Sequence, residues 1–206
     1  MKRVGVIDYQ ICNINSVYSA FEHLDEDVHI VTAPDEVKKY SHLVLPGVGA
    51  FAEGMHNLVR NGMSQAVCEY ANSGRPLLGI CLGMQLLLSE GNEFERIKGL
   101  SIVDGKVCAL DMLEGNQRVY PHTGWNIVDF CENSRLSSYV GNQEFYYFNH
   151  SYVCLPRDDS VKKGFVSLIE KHVAIIECDN VFGFQFHPEK SHSAGLKLLS
   201  GFMAQE

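Results

Sequence analysis

The N-terminal half of the chain alternates short, almost wholly apolar runs with stretches of helical periodicity, and this rhythm restricts the fold more than any other feature. Arg3 to Ile7, Val28 to Val31, His42 to Leu45 and Pro76 to Ile80 read as buried strands. Asn15 to Leu24 places Val17, Ala20, Phe21 and Leu24 on one helical face. A second helical stretch runs from Phe51 to Tyr70 with a break near Asn61-Gly62, and Leu82 to Ser89 reads as a third helix. Strands separated by helices need crossover connections, so the sheet is expected to be mainly parallel and covered on both faces.

Beyond about Leu100 the pattern changes to short strands joined by turns. Candidates are Ser101 to Leu110, Trp125 to Val128, Glu144 to Phe148, Tyr152 to Leu155, Phe165 to Ile169, Val173 to Glu177 and Val181 to Phe186. Their spacing suits antiparallel hairpins, with Asp179-Asn180 as one turn, and Ala194 to Met203 reads as an amphipathic helix packing back on the sheet. The fold class is therefore α/β, a mostly parallel doubly wound sheet with an antiparallel extension. No repeat or linker divides the 206 residues, which predicts one domain over residues 1–206.

Composition bounds the partners. At 46% hydrophobic the chain has material for a real core, which excludes a disordered or fibrous reading. Lys plus Arg number 17 against 25 Asp plus Glu, a net charge of -8, and that balance repels phosphate backbones, so no nucleic acid is expected. No apolar run approaches the roughly 18 residues of a membrane span, and Met1 to Asp8 turns acidic too soon for a signal peptide. The 7 cysteines are odd in number and widely spaced, with no C-x-x-C pair. Neither a disulfide framework nor a zinc site is indicated, so no metal, reduced thiols and a cytoplasmic location are expected.

The strongest local signal is Gly79-Ile80-Cys81-Leu82-Gly83, where a buried strand hands over to a helix. Gly-x-Cys-x-Gly at such a junction is the thiol form of a nucleophile elbow, whose flanking glycines avoid collisions across the tight turn. A sulfur at a helix N-terminus is favoured as thiolate, and the N–H groups of the first turn point at whatever oxygen develops charge. The plainer alternative, a buried cysteine acting as a small hydrophobe, explains the other six thiols better than Cys81. A thiol nucleophile needs a proton acceptor with a partner that fixes its tautomer. Phe186-His187-Pro188-Glu189 supplies both: Pro188 stops the strand, leaving His187 at its carboxyl end with Glu189 two residues on.

Leu45-Pro46-Gly47-Val48-Gly49-Ala50 is another strand running into a glycine turn. Gly47 to Ala52 fits G-x-G-x-x-A, but a dinucleotide fingerprint belongs after the first strand, where Asp8-Tyr9-Gln10 has no glycine. No cofactor is expected. The better reading is a loop of backbone N–H groups completing an oxyanion hole beside Cys81.

Together, Pro46-Gly47-Val48-Gly49, Gly79 to Gln85 and Phe186 to Glu189 resemble the class I (triad) glutamine amidotransferases. Pro121-His122-Thr123-Gly124-Trp125-Asn126 and Tyr147 to Tyr152 bring the resemblance closest to the glutaminase subunits of imidazole glycerol phosphate synthase. The resemblance implies that Cys81 attacks the glutamine side-chain amide, His187 shuttles protons and Glu189 orients it. It implies oxyanion donors at Leu82 and in Gly47, Val48 and Gly49, and glutamine contacts at Gln85, Glu93 and Ser151. The implied partner is a cyclase (β/α)8-barrel subunit, joined as a heterodimer, which receives ammonia in histidine biosynthesis; a subunit that is a poor glutaminase when alone is implied as well.

The sequence departs from the family at the loop after the first strand, where Gln10 and Cys12 replace two glycines, and at Thr123 and Asn149, usually apolar. Lost glycines predict a loop reshaped to avoid positive φ. These departures leave open an alternative: a paralogous glutaminase subunit feeding another synthase, such as a sugar-amidinating enzyme of surface polysaccharide biosynthesis.

Overall fold

Strands β1 (Arg3–Ile7), β2 (Asp27–Val31), β3 (His42–Gly47) and β4 (Leu77–Cys81) lie side by side in the order β2-β1-β3-β4, all parallel. The computed structural model describes residues 2–93, 95–110, 121–141, 144–168 and 170–206. Helices α1 (Ile14–His23), α2 (Phe51–Arg60) and α3 (Met63–Asn72) fill the crossovers, with a 3-10 segment at Pro34–Lys39 between β2 and β3. The strands are apolar throughout because both faces are covered. Val4, Val6 and Val44 point to one core with Val17 and Phe21 of α1; Ile7, Leu43 and Leu45 point to the other with Met55, Leu58 and Val67. The expected break in the second helix falls at Gly62, whose φ of +69° suits glycine and separates α2 from α3.

The later strands are β5 (Leu88–Asn92), β6 (Arg96–Lys98), β7 (Val103–Ala109), β8 (His122–Asp129), β9 (Phe145–His150), β10 (Tyr152–Pro156), β11 (Lys162–Ser167), β12 (Lys171–Cys178) and β13 (Val181–Phe184). β13 adds to β4 in parallel, and β12, β11, β8 and β9 then continue the same sheet antiparallel. The β12–β13 hairpin turns at Asp179-Asn180, with Asp179 at φ +49°. Helix α5 (His192–Met203) lays Leu198, Leu199 and Phe202 on the core that α1 also covers. No helix among the described residues is long and apolar enough to cross a membrane.

Two expectations are corrected. The helix expected over Leu82 to Ser89 is α4 (Leu82–Leu86) only, and the chain becomes strand at Leu88. The carbonyls of Leu86, Leu87 and Leu88 are taken by the N–H groups of Leu100, Ile102 and Ser101 from the returning chain, which replaces the helical pattern. β5 and β6 join β7 and β10 in a second four-stranded sheet, order β10-β7-β5-β6, that the sequence rhythm did not reveal. In addition, the strand expected to run to Ile169 ends at Ser167, and Ile169 lies outside the described residues.

Burial of uncharged imidazoles makes the fold acid-sensitive. Burial is the main reason that His42 is pushed down to about 4, His122 to about 4 and His150 to about 3. An unfolded histidine titrates near ~6.5, so below that pH the unfolded chain binds protons that the folded one refuses. This contribution to stability is complete above about pH 6.5 and is lost as pH falls toward 4 and then 3. The denaturant midpoint should be lower at pH 5 than at pH 7.5, with net proton uptake on unfolding; an equal midpoint and no uptake would contradict this.

Candidate active site

Cys81 ends β4 and opens α4 with φ +53° and ψ -109°, a conformation that costs a non-glycine residue on the order of 1–3 kcal/mol. The sequence forces it. A Cβ at Gly79 would lie 2.7 Å from the Met84 nitrogen, and one at Gly83 would overlap the Leu45 carbonyl, so the helix folds directly over the strand ends. β4 and β13 are parallel neighbours with Ile80 opposite Phe184, which brings the residues just past both strands to one rim.

His187 stands on that rim. Its N–H donates to the Tyr147 carbonyl at 2.9 Å, and the Ser191 hydroxyl donates to the His187 carbonyl while accepting from the Tyr147 N–H at 3.0 Å. The imidazole Nδ1 lies 2.8 Å from Glu189 Oε1, so Nδ1–H donates to the carboxylate, and the ring shares the wall of one cavity with the Cys81 sulfur. His187 and Glu189 are almost fully buried. Burial alone pushes His187 down, but the neighbouring Cys81 sulfur and Glu189 carboxylate outweigh it and raise the imidazole to about 10. The Glu189 carboxylate therefore favours the protonated form of the imidazole. Among the described residues, Glu189 Oε2 has no hydrogen-bond partner.

Above Cys81 lies a cavity of about 280 Å³, lined by Val48, Gly49, Leu82, Gln85, Glu93, Asn149, Ser151, Tyr152, His187 and Lys190, among others. It falls just under the range of drug-sized pockets and suits an amino acid. Leu82, Val48, Gly49, Gln85, Glu93 and Ser151 thus all line this one cavity. Gly47 sits beside them, paired with Cys81 across β3 and β4, where a Cβ would overlap the Tyr9 hydroxyl.

Two of these residues are engaged differently from the sequence-based expectation. The Val48 N–H donates to the Ile11 carbonyl at 2.9 Å and so is turned to the loop after β1. Glu93 Oε2 accepts the Phe51 N–H at 2.8 Å, capping the start of α2 and bracing the Gly49-Ala50 turn. The β1 loop itself differs from the expected shape. Gln10 takes φ +76° despite its side chain, with its N–H bonded to Asp8 Oδ1 at 2.9 Å, so the loop keeps the positive φ that glycine would supply.

Sequence reasoning missed Gln185, whose side chain is wholly buried and whose Nε2 lies 3.9 Å from the Cys81 sulfur. Its signal was a lone amide in the apolar run Val181 to Phe186. It also missed that His122 and His150, quoted only as family marks, form a buried pair 2.9 Å apart. Outside the cavity, Trp125 is 44% exposed, stacked on His192 at 4.9 Å, and Lys190 reaches over Tyr147.

Residues 5–205 match the family described as Glutamine amidotransferase class-I. The chain belongs to this family. As a class-I glutamine amidotransferase it is an enzyme, and its curated relatives match end to end. "Imidazole glycerol phosphate synthase subunit HisH" of Chlorobaculum tepidum is 42% identical over 200 residues, covering 97% of this chain and 98% of that protein. The protein of the same name from Lactococcus lactis is 38% identical over 205 residues, covering 100% of both. Among solved structures, one titled as a glutamine amidotransferase aligns with TM-score 0.76 at 17% identity, over 97% of this chain and 96% of that one. The structure of PurLQS from Thermotoga maritima aligns with TM-score 0.75 at 19% identity, over 98% and 97%. At such identities these two bear on the glutamine amidotransferase fold alone.

Proposed function

We propose that this glutamine amidotransferase is the glutaminase subunit of imidazole glycerol phosphate synthase, acting in the cytoplasm as one domain over residues 1–206. The observation that carries the reading is His187, hydrogen-bonded to Glu189 and facing the same amino-acid-sized cavity as the Cys81 sulfur. End-to-end similarity to HisH subunits supports the choice of synthase.

Cys81 Sγ attacks the side-chain amide carbon of glutamine, and the C–N bond breaks as His187 gives its proton to the departing nitrogen. This leaves a γ-glutamyl thioester and ammonia. Water, losing a proton to His187, then cleaves the thioester; glutamate departs and the thiolate–imidazolium pair is restored. Glu189 holds the imidazole with Nδ1–H toward itself and Nε2 toward the sulfur. Gln85, Glu93 and Ser151 are the glutamine contacts.

The oxyanion is held by the Leu82 N–H and by the Gly47-Val48-Gly49 segment. The Val48 N–H must first leave the Ile11 carbonyl, and glycines on both sides make that rotation affordable. A resting site short of one oxyanion donor has a use. Ammonia released into water at pH 7 is protonated and lost as a nucleophile, so hydrolysis is best withheld until an acceptor is docked. The partner is a cyclase (β/α)8-barrel subunit in a heterodimer. The Trp125, Tyr147 and Lys190 patch supports a docking face, since Lys190 borders both the patch and the cavity.

A second reading keeps the chemistry and changes the recipient to another synthase, such as a sugar-amidinating enzyme. It is favoured by Thr123 and Asn149, two of the departures from the family, which face each other across β8 and β9 and are hydrogen-bonded at 3.1 Å. A histidine auxotroph lacking this subunit separates the two. Growth on expressing the chain is the expected result, and failure of a well-expressed chain favours the second recipient.

A further inference from the structure

Cys81 is also reached by a polar chain that the triad does not use. Gln85 Nε2 lies 3.1 Å from the Tyr152 carbonyl and 3.2 Å from Gln185 Oε1, and Gln185 Nε2 lies 3.9 Å from the Cys81 sulfur. The direction of both amides is fixed by one group. A carbonyl only accepts, so the Gln85 atom facing Tyr152 is its NH2; that NH2 then meets the oxygen of Gln185, and the NH2 of Gln185 is left facing the sulfur. Flipping Gln185 would oppose two donors, and flipping both would oppose two acceptors at Tyr152.

The other side of the Tyr152 carbonyl is fixed in the same way. His150 Nδ1 donates to it at 2.9 Å, which leaves His150 Nε2 to accept from His122 Nδ1 at 2.9 Å. His122 Nε2 in turn accepts from the Asn126 amide at 3.2 Å. Every donor and acceptor of this buried chain agrees, from β8 to the nucleophile.

We infer that Gln185 stabilises the thiolate form of Cys81 through an N–H···S hydrogen bond, with Gln85 and the Tyr152 carbonyl as the positioning groups that aim it. The inference rests on Cys81 being the nucleophile. It also limits Gln85 toward a bound glutamine, because both hydrogens of its amide are used and only its oxygen is left to face the cavity. Other groups near the sulfur are His187 and Glu189 beyond β13, Tyr9 after β1, Cys154 on β10, and Glu93 and Lys190 at the cavity wall. All are unchanged in the variants below.

The test is the pH dependence of Cys81 alkylation by iodoacetamide, read by mass spectrometry on the peptide that carries Cys81, with the full chain. Gln185→Met keeps the volume and removes the donor; Gln185→Glu keeps the shape and sets a carboxylate against the sulfur. The alkylation midpoint should rise by about half to one pH unit in the first and further in the second. With saturating partner, kcat should fall about tenfold with KM within about twofold. Folded variants whose alkylation profiles superimpose on the unaltered protein's would overturn the inference. If neither variant folds, the side-chain amide resonance of Gln185 in the unaltered protein decides: it should move with the alkylation midpoint, and a flat titration overturns the inference. Glutamate release that survives Cys81→Ala would instead defeat the nucleophile assignment.

Discussion

Cys81→Ala is expected to reduce glutamate release by about 10⁴-fold or more, to background, with the cyclase partner present. No neighbouring group can take over. Among the described residues lining the cavity, Cys81 is the only thiol, and Ser151 sits in the turn between β9 and β10, away from the elbow. The loss should fall on kcat rather than on glutamine binding, because the cavity walls at Gln85, Glu93 and Ser151 are untouched. Stability should change by no more than about 1 kcal/mol, since alanine has the same backbone preferences at φ +53° and gives up only a sulfur. Steady-state assay with a thermal melt checks both halves. A variant that keeps a tenth of the activity, or that loses it only by unfolding, contradicts the expectation.

Partner dependence is the second large effect. In the free chain the Val48 N–H is bonded to the Ile11 carbonyl, so under the proposed mechanism the oxyanion would meet an incomplete set of donors. Removing one such donor from an active site costs about 10²–10³ in rate, and docking that frees Val48 should restore that factor in kcat while KM changes little. The Val48 amide itself reports the step. Its hydrogen exchange should be slow in the free chain, where Ile11 protects it, and altered in the complex with bound glutamine. Equal kcat with and without the cyclase would mean that the Ile11 bond is only a structural contact of the loop.

Much of this site was legible because its chemistry needs strong local signals. The elbow requires glycine at positions 79 and 83 for steric reasons that survive into the coordinates, where side chains at either would strike the backbone of the next turn or of β3. His187 was legible because Pro188 ends its strand, and β13 pairing with β4 brings residues about a hundred positions apart in sequence to one cavity. The parallel half was legible for the same kind of reason: two-sided burial makes each strand an apolar block.

What escaped the sequence lacks such signals. Leu82 to Leu88 is buried on every side, so its apolar run has no period, and only the hydrogen bonds from residues 100–103 decide where helix gives way to strand. β5 and β6 are short and carry the exposed Asn92, Arg96 and Lys98, which read as loop. The Val48–Ile11 bond joins two backbones, and a backbone contact leaves no mark in residue types. Gln10 reverses the expectation from lost glycines because the Asp8 carboxylate holds its N–H and helps to support the positive φ.

The most direct measurement is to quench the complex during turnover with isotopically labelled glutamine in acid and map the label by mass spectrometry. A γ-glutamyl group should be found on the peptide carrying Cys81, absent in Cys81→Ala and accumulating in a variant slowed at thioester hydrolysis. Sustained glutamate release with no adduct on Cys81, or with the label on another residue, would contradict covalent catalysis at this elbow.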